Sequence, residues 1–139
     1  MQAEELIESL SMFSLFGDLS RPELEAMSHT FDEQWFTQDQ RILRQGFTGS
    51  GFYVILEGEA EVRIDGEQRA KLGRGDFFGE LSVLLGEPPV ADIVALSPLR
   101  CLVLPGPEMK SWLLSKPQVM LRMLEAELRR LRTSNIWRQ

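Results

Sequence analysis

Residues 77–93 read Phe77-Phe78-Gly79-Glu80-Leu81-Ser82-Val83-Leu84-Leu85-Gly86-Glu87-Pro88-Pro89-Val90-Ala91-Asp92-Ile93. A Gly-Glu pair opens an apolar helical segment of one to two turns, and a Gly/Pro loop then leads into a strand. Free backbone amides at a helix start face an anion, and the Glu80 carboxylate beside them suits a sugar hydroxyl. The stretch reads as a phosphate-and-sugar pocket. It carries no cation, because the loop that would supply one reads Pro88-Pro89.

Outward from this stretch the chain falls into three zones without a clear linker. Residues 1–30 are expected as a helical lead-in. Glu4-Glu5-Leu6-Ile7 begins an amphipathic stretch, and Phe13, Leu15, Phe16 and Leu19 form an apolar connector. Ser20, Pro22 and Glu23 compose a capping-box start for a helix carrying Leu24 and Met27. From residue 31 to 104 the apolar residues gather in short runs: WF, RIL, GFYVIL, AEVRI, DIVAL and LRCLVL. Gly46, Gly49, Gly51, Gly58, Gly73 and Gly75 punctuate them, and Asp65-Gly66 marks a hairpin whose turn needs positive φ. Many short strands with frequent glycine turns predict an antiparallel barrel, roll or jelly roll.

Beyond Leu104 the pattern is helical again, over 107–135. Pro107-Glu108 opens a short helix with Met109, Trp112, Leu113 and Leu114, and Pro117 opens a longer one. In the longer helix Leu121, Leu124, Leu128 and Leu131 fall at heptad spacing, Asn135 continues the register, and Met120 and Met123 lie on an adjoining stripe. Either the leucine stripe packs on the barrel of its own chain, or two such helices pair across a homodimer. The spacing leaves both open. The fold class is therefore α+β: an antiparallel β-roll or jelly-roll barrel flanked by N-terminal helices and two C-terminal helices. Residues 1–139 are expected to form a single domain, with the pocket segment at 77–92.

Composition narrows the function classes. The chain has 139 residues, 43% hydrophobic and 26% charged, ordinary values for a globular domain. No apolar run approaches the roughly 20 residues of a membrane span. The acidic N-terminus is not a secretory signal. Cys101, the only cysteine, sits in an apolar strand-like run and is expected as a buried structural thiol in a reducing cytoplasm. A net charge of -6 argues against nucleic acid as a direct partner. Arg122, Arg129, Arg130, Arg132 and Arg138 gather near the C-terminus, but Glu125 and Glu127 interleave with them, so they read as a solvated helix face. With no helix-turn-helix after Gln139, direct DNA binding is not expected.

Taken together, the helices, the glycine-punctuated strands, RILRQGFTGSGFYVILEGEAEV, LGRGDFFGELSVLLGEPP and the two closing helices resemble the cyclic nucleotide-binding domain family, in the manner of its catabolite-activator-like sensor domains. The resemblance runs from about Leu10 to Arg132. It implies a regulatory, non-enzymatic sensor with cAMP or cGMP as ligand, and it makes 77–92 a phosphate-binding cassette. Gly79 would permit close approach to the phosphate, Glu80 would accept from the ribose 2′-hydroxyl, and Leu81 and Ser82 would offer amides and a hydroxyl. Pro89 departs from the pattern by standing where the family carries a phosphate-binding arginine. It removes both a guanidinium and an N–H. Val90 adds bulk where a small residue is usual, and Asp92 follows. Losing one charge-assisted hydrogen bond of about 1.5–3 kcal/mol weakens binding by roughly one to two orders of magnitude. Arg41, Arg44, Arg69, Arg74 and Arg100 are the candidates to replace the charge from other strands.

Other readings carry less. A cupin-type metal enzyme needs clustered histidines, and the chain has His29 alone. A serine hydrolase would have to use the same His29, and no nucleophile-elbow motif is present. Glu80 would otherwise serve as a helix cap. Phe52, Tyr53, Phe77 and Phe78 read as core sooner than purine contacts, and Trp35 and Trp112 as packing residues. Ile136 and Trp137 stand where a closing helix could lid the base. Two functions remain: a small-molecule sensor with a weakened or altered site, or a ligand-free dimerisation or docking module on the same fold.

Overall fold

The computed structural model describes residues 3–47 and 51–138, with side chains described up to residue 133. Gly49 and the side chains of Asn135, Ile136, Trp137 and Arg138, all singled out above, lie outside the described residues. The chain starts with α1 (Ala3–Met12), a 3-10 turn (Ser14–Phe16) and α2 (Arg21–Thr30). Eight strands follow: β1 (Asp32–Phe36), β2 (Arg41–Leu43), β3 (Gly51–Glu57), β4 (Ala60–Ile64), β5 (Glu67–Leu72), β6 (Phe77–Phe78), β7 (Asp92–Ala95) and β8 (Leu99–Pro105). A short helix, α3 (Glu80–Leu85), interrupts them between β6 and β7, and α4 (Gly106–Leu114) and α5 (Pro117–Arg138) close the chain. The strands form two antiparallel sheets of order β1-β8-β3-β6 and β2-β7-β4-β5. This is the expected α+β roll.

Alternation along β3 and β8 explains the layering. Phe52, Val54 and Leu56 face the helices, as do Leu102 and Leu104. Ile55, Leu99, Cys101 and Val103 face the other sheet, where Leu43, Ala60, Leu72, Ile93 and Ala95 meet them. The first sheet is thus buried on both faces, so its central strands read as continuous apolar runs. By contrast β5, with only Leu72 buried, is an edge strand with no apolar run to announce it.

Local chemistry follows the sequence closely at three points. Ser20 Oγ accepts from the Glu23 N–H at 3.3 Å while Glu23 Oε1 accepts from the Ser20 N–H at 3.0 Å, a complete capping box on α2. Asp65 and Gly66 both take positive φ, 53° and 81°, as the β4–β5 hairpin requires. Cys101 is fully buried, and burial pushes its thiol up to about 12.

One expectation is corrected, and one choice left open by the sequence is narrowed. Trp35 is not a packing residue: it is 61% exposed on β1, and the Arg100 guanidinium sits 4.2 Å over its ring. Only Trp112 packs, against Phe16 and Phe31. Of the two readings left open for the leucine stripe of α5, packing on its own barrel is not what the structure has. Val119, Met123 and Ala126 make that contact, while Leu121, Leu124, Leu128 and Leu131 remain between 55% and 57% exposed. At about 100° per residue the two stripes occupy different sides of the helix, so only one can face the roll.

Candidate functional site

Register decides where the cassette lands. Tyr53 pairs with Phe78 in antiparallel sense, so the chain leaving β6 runs toward the Gly51 end of β3. There Gly79 adopts φ 88°, and a Cβ on it would lie 2.1 Å from the Gly51 carbonyl oxygen and 3.1 Å from the Tyr53 ring. Only glycine can make this turn, which swings the chain off the sheet edge into α3. The backbone that demands a glycine at 79 is that of Gly51.

The second half of the cassette is laced to neighbouring turns. Gly86, also left-handed at φ 67°, closes α3 with its N–H on the Ser82 carbonyl at 3.0 Å. The Ser82 hydroxyl donates to the Glu87 carbonyl, so it ties the loop to the helix. Pro89 is buried, and its carbonyl accepts from the Gly46 N–H at 2.8 Å. Asp92 Oδ1 accepts from the Gln45 N–H at 2.7 Å, and Oδ2 lies 3.8 Å from Arg41 Nε. Leu81 and Val90 leave their side chains 41% and 58% exposed.

Glu80 is the buried charge of the site, 2% exposed at the first position of α3. Arg130 of α5 reaches it: Nη1 stands 3.2 Å from Glu80 Oε1 and 3.2 Å from Glu127 Oε1. Nη2 donates to the Phe77 carbonyl at 2.9 Å, with the guanidinium 4.3 Å over the Phe77 ring. The second Glu80 oxygen, Oε2, is buried with no hydrogen-bond partner among the described residues. Burial and then the Glu127 carboxylate push the Glu80 carboxyl up to about 8, against the opposing pull of Arg130.

Arg130 corrects the reading of the C-terminal arginines as one solvated face. Val119, Met123, Ala126 and Arg130 follow at spacings of four, three and four, so Arg130 extends the roll-facing stripe. That periodicity was the available signal, and the interleaved glutamates obscured it. The five arginines named earlier are placed elsewhere or only at the margin. Arg74 binds Ser9 at 3.0 Å and covers Phe13; Arg100 pairs with Glu33 and Glu57; Arg69 pairs with Glu67. Arg41 comes nearest, on Asp92, and Arg44 is exposed in the turn before Gly46.

The aromatics near the site pack on one another. Tyr53 stacks on Phe78 at 4.7 Å, and Phe52 meets Phe31 and Phe77 edge-on. Tyr53, Phe36, Ile42 and Val62 are only partly buried and edge the apolar space between the sheets. Among the described residues no group of three His, Cys, Asp or Glu side chains is placed to hold a metal ion, and no helix is long and apolar enough to cross a membrane. The arrangement offers a buried hydroxyl acceptor beside a partly exposed cation.

Comparison with known proteins agrees with the fold. The family profile described as cyclic nucleotide-binding domain matches residues 33–116. The chain is 35% identical over 100 residues to the cGMP-dependent protein kinase egl-4 of Caenorhabditis briggsae, covering 68% of this chain but only 13% of that kinase. Among solved structures, a cyclic nucleotide-binding domain from Methylobacillus flagellatus superposes with a TM-score of 0.80 at 30% identity, over 95% of this chain and 79% of that one. The Thermus thermophilus catabolite activator protein gives 0.78 at 27% identity, over 88% of this chain and 60% of that one.

Proposed function

The chain belongs to the cyclic nucleotide-binding domain family, and from that premise we propose that it is a cytoplasmic regulatory sensor, not an enzyme, whose phosphate site is weakened or altered. One observation carries the reading: Glu80 is buried at the cassette with one oxygen on Arg130 and the other unpartnered. A buried carboxyl oxygen without a partner in such a place costs free energy until a hydrogen-bonding donor arrives. A ribose 2′-hydroxyl is such a donor, and cAMP or cGMP would bring one.

Binding there would act on α5. Glu80 and Glu127 both hold Arg130, so a hydroxyl on Glu80 changes how firmly that guanidinium is retained. A ligand that prefers one position of α5 shifts the population toward it. The phosphate end is the weak one. Ligand contacts there are assigned to Gly79, Leu81, Ser82, Pro89 and Val90, with Pro89 in the place of the family's arginine.

Titration calorimetry with cAMP and cGMP, with Glu80→Ala as control, tests this. Weak heat lost in the variant supports it, and no response from either nucleotide to about 1 mM removes these two ligands. Restoring the cation by Pro89→Arg should tighten cyclic nucleotide about tenfold or more.

A second reading has its own support. The exposed α5 leucines border an apolar groove of about 580 Å³ lined by Leu84, Leu113, Leu114, Pro117, Met120 and Leu124. An exposed apolar surface of this extent suits a homodimer through the C-terminal helix. That homodimer serves as the output of the sensor or, if no ligand binds, as the whole function.

A further inference from the structure

The two halves of the cassette are built for different partners. On the sugar side stand two carboxylates, Glu80 and Glu127, each on the same nitrogen of Arg130. Glu80 Oε2 is left free to accept. On the phosphate side three polar groups are already engaged. The Pro89 carbonyl is taken by Gly46, the Ser82 hydroxyl by Glu87, and the Asp92 carboxylate by Gln45 and Arg41. Residues 77–93 contain Glu80, Glu87 and Asp92 but no lysine or arginine. Arg130, the cation nearest Glu80, is shared between two carboxylates and the Phe77 carbonyl.

We propose that this site takes an uncharged nucleoside, a ribose with free 2′- and 3′-hydroxyls, in preference to a cyclic phosphate. The inference rests on the ligand-binding reading above and names its substrate class. A vicinal diol presents two donors, which match two carboxylates flanking one guanidinium. Closing a 3′,5′-cyclic phosphate removes the 3′ donor and brings a negative charge to a segment, residues 77–93, with no lysine or arginine of its own and with Asp92 beside it. The neutral ligand loses nothing when arginine becomes Pro89. Arg130, with its side chain 38% exposed, holds Glu80 Oε1 and leaves Oε2 to the hydroxyls.

Calorimetry on the full chain decides it, with adenosine, guanosine, their 3′,5′-cyclic monophosphates and 2′-deoxyadenosine as probes. At least one ribonucleoside should bind about tenfold or more tightly than its cyclic monophosphate, and loss of the 2′-hydroxyl should remove most of that affinity. Glu127→Gln, with its fold checked by circular dichroism, should narrow the gap by weakening the nucleoside. If a cyclic nucleotide binds more tightly than its nucleoside, or the 2′-deoxy compound binds equally well, this inference fails while the sensor reading stands. If neither heat nor thermal shift appears with any probe to about 1 mM, both fail.

Discussion

Arg130 Nη1 and Glu80 Oε1 stand 3.2 Å apart across 50 residues of sequence, joining the last helix to the first turn of the cassette. The contact is half interior and half surface: the Glu80 side chain is 3% exposed and that of Arg130 is 38%. An exposed pair would contribute almost nothing, but here one partner is buried and keeps an unsatisfied oxygen. The link therefore lies between packing and function. It holds α5 in place, and it is the first contact a ligand hydroxyl would compete with.

Removing the cation tests the tether. Arg130→Met keeps the aliphatic cover over Phe77 but strips three hydrogen bonds, to Glu80, Glu127 and the Phe77 carbonyl. A loss of about 1–3 kcal/mol is expected, read as a lower urea midpoint. Arg130→Lys should recover less than half of it, since a point charge cannot span three acceptors as a planar fork does. An unchanged midpoint in the methionine variant would mean the contact is not made in solution.

Glu80 also sets a pH dependence. Its carboxyl lies at about 8 in the folded chain against 4.5 when unperturbed, because burial and then Glu127 disfavour the charged form. Below the lower value both states hold the proton and nothing is lost. As pH rises from about 4.5 to 8 the unfolded chain ionises first, so stability drains away over that window. Chemical denaturation at a series of pH values should show the decline, and Glu80→Gln should flatten it. A Glu80→Gln profile as steep as that of the parent chain would place the titration on another group.

How much of this was readable in the residues depends on the range of the physics involved. Ser20/Glu23 and Asp65-Gly66 are local devices, and their hydrogen bonds and dihedrals appear as their sequence implies. The apolar runs of β3 and β8 were legible as strands, and their burial on both faces is seen in the structure. β5 was announced only by the Asp65-Gly66 turn before it, since a strand with one buried residue has no apolar pattern to show. The cassette was legible as a Gly-Glu helix start. Its partner Arg130 was not, because the interleaved glutamates obscured its place on the roll-facing stripe and the pairing itself spans 50 residues. Trp35 was misplaced for a related reason: alternation gives a strand's faces but not where the helices covering one face end.

Gly79 offers a sharper measurement than most glycines. Gly66 and Gly79 share nearly the same φ, 81° and 88°, yet a Cβ at 66 meets nothing within 4 Å while one at 79 meets the Gly51 carbonyl at 2.1 Å. Gly66→Ala should therefore cost only the dihedral strain, about 1 kcal/mol. Gly79→Ala should cost about 3 kcal/mol or more, since the sheet edge must also move. Equal losses in thermal unfolding would show that α3 does not press on β3 as described.

The exposed face of α5 gives the last test, and it concerns assembly. Leu121, Leu124, Leu128 and Leu131 are each a little over half exposed, at spacings of three, four and three, while Val119 and Met123 already serve the core. Such a stripe on a lone chain would be an uncommon liability; against a second copy it becomes a heptad seam. Replacing Leu124 and Leu128 together by glutamate removes the apolar contact and sets like charges face to face across the two-fold axis. The core is untouched, so the monomer's intrinsic stability should change by no more than about 1 kcal/mol. Sedimentation velocity should then show the parent chain as a dimer and the double variant as a monomer. A parent chain that stays monomeric at the highest concentration reached would leave the leucine stripe without this partner.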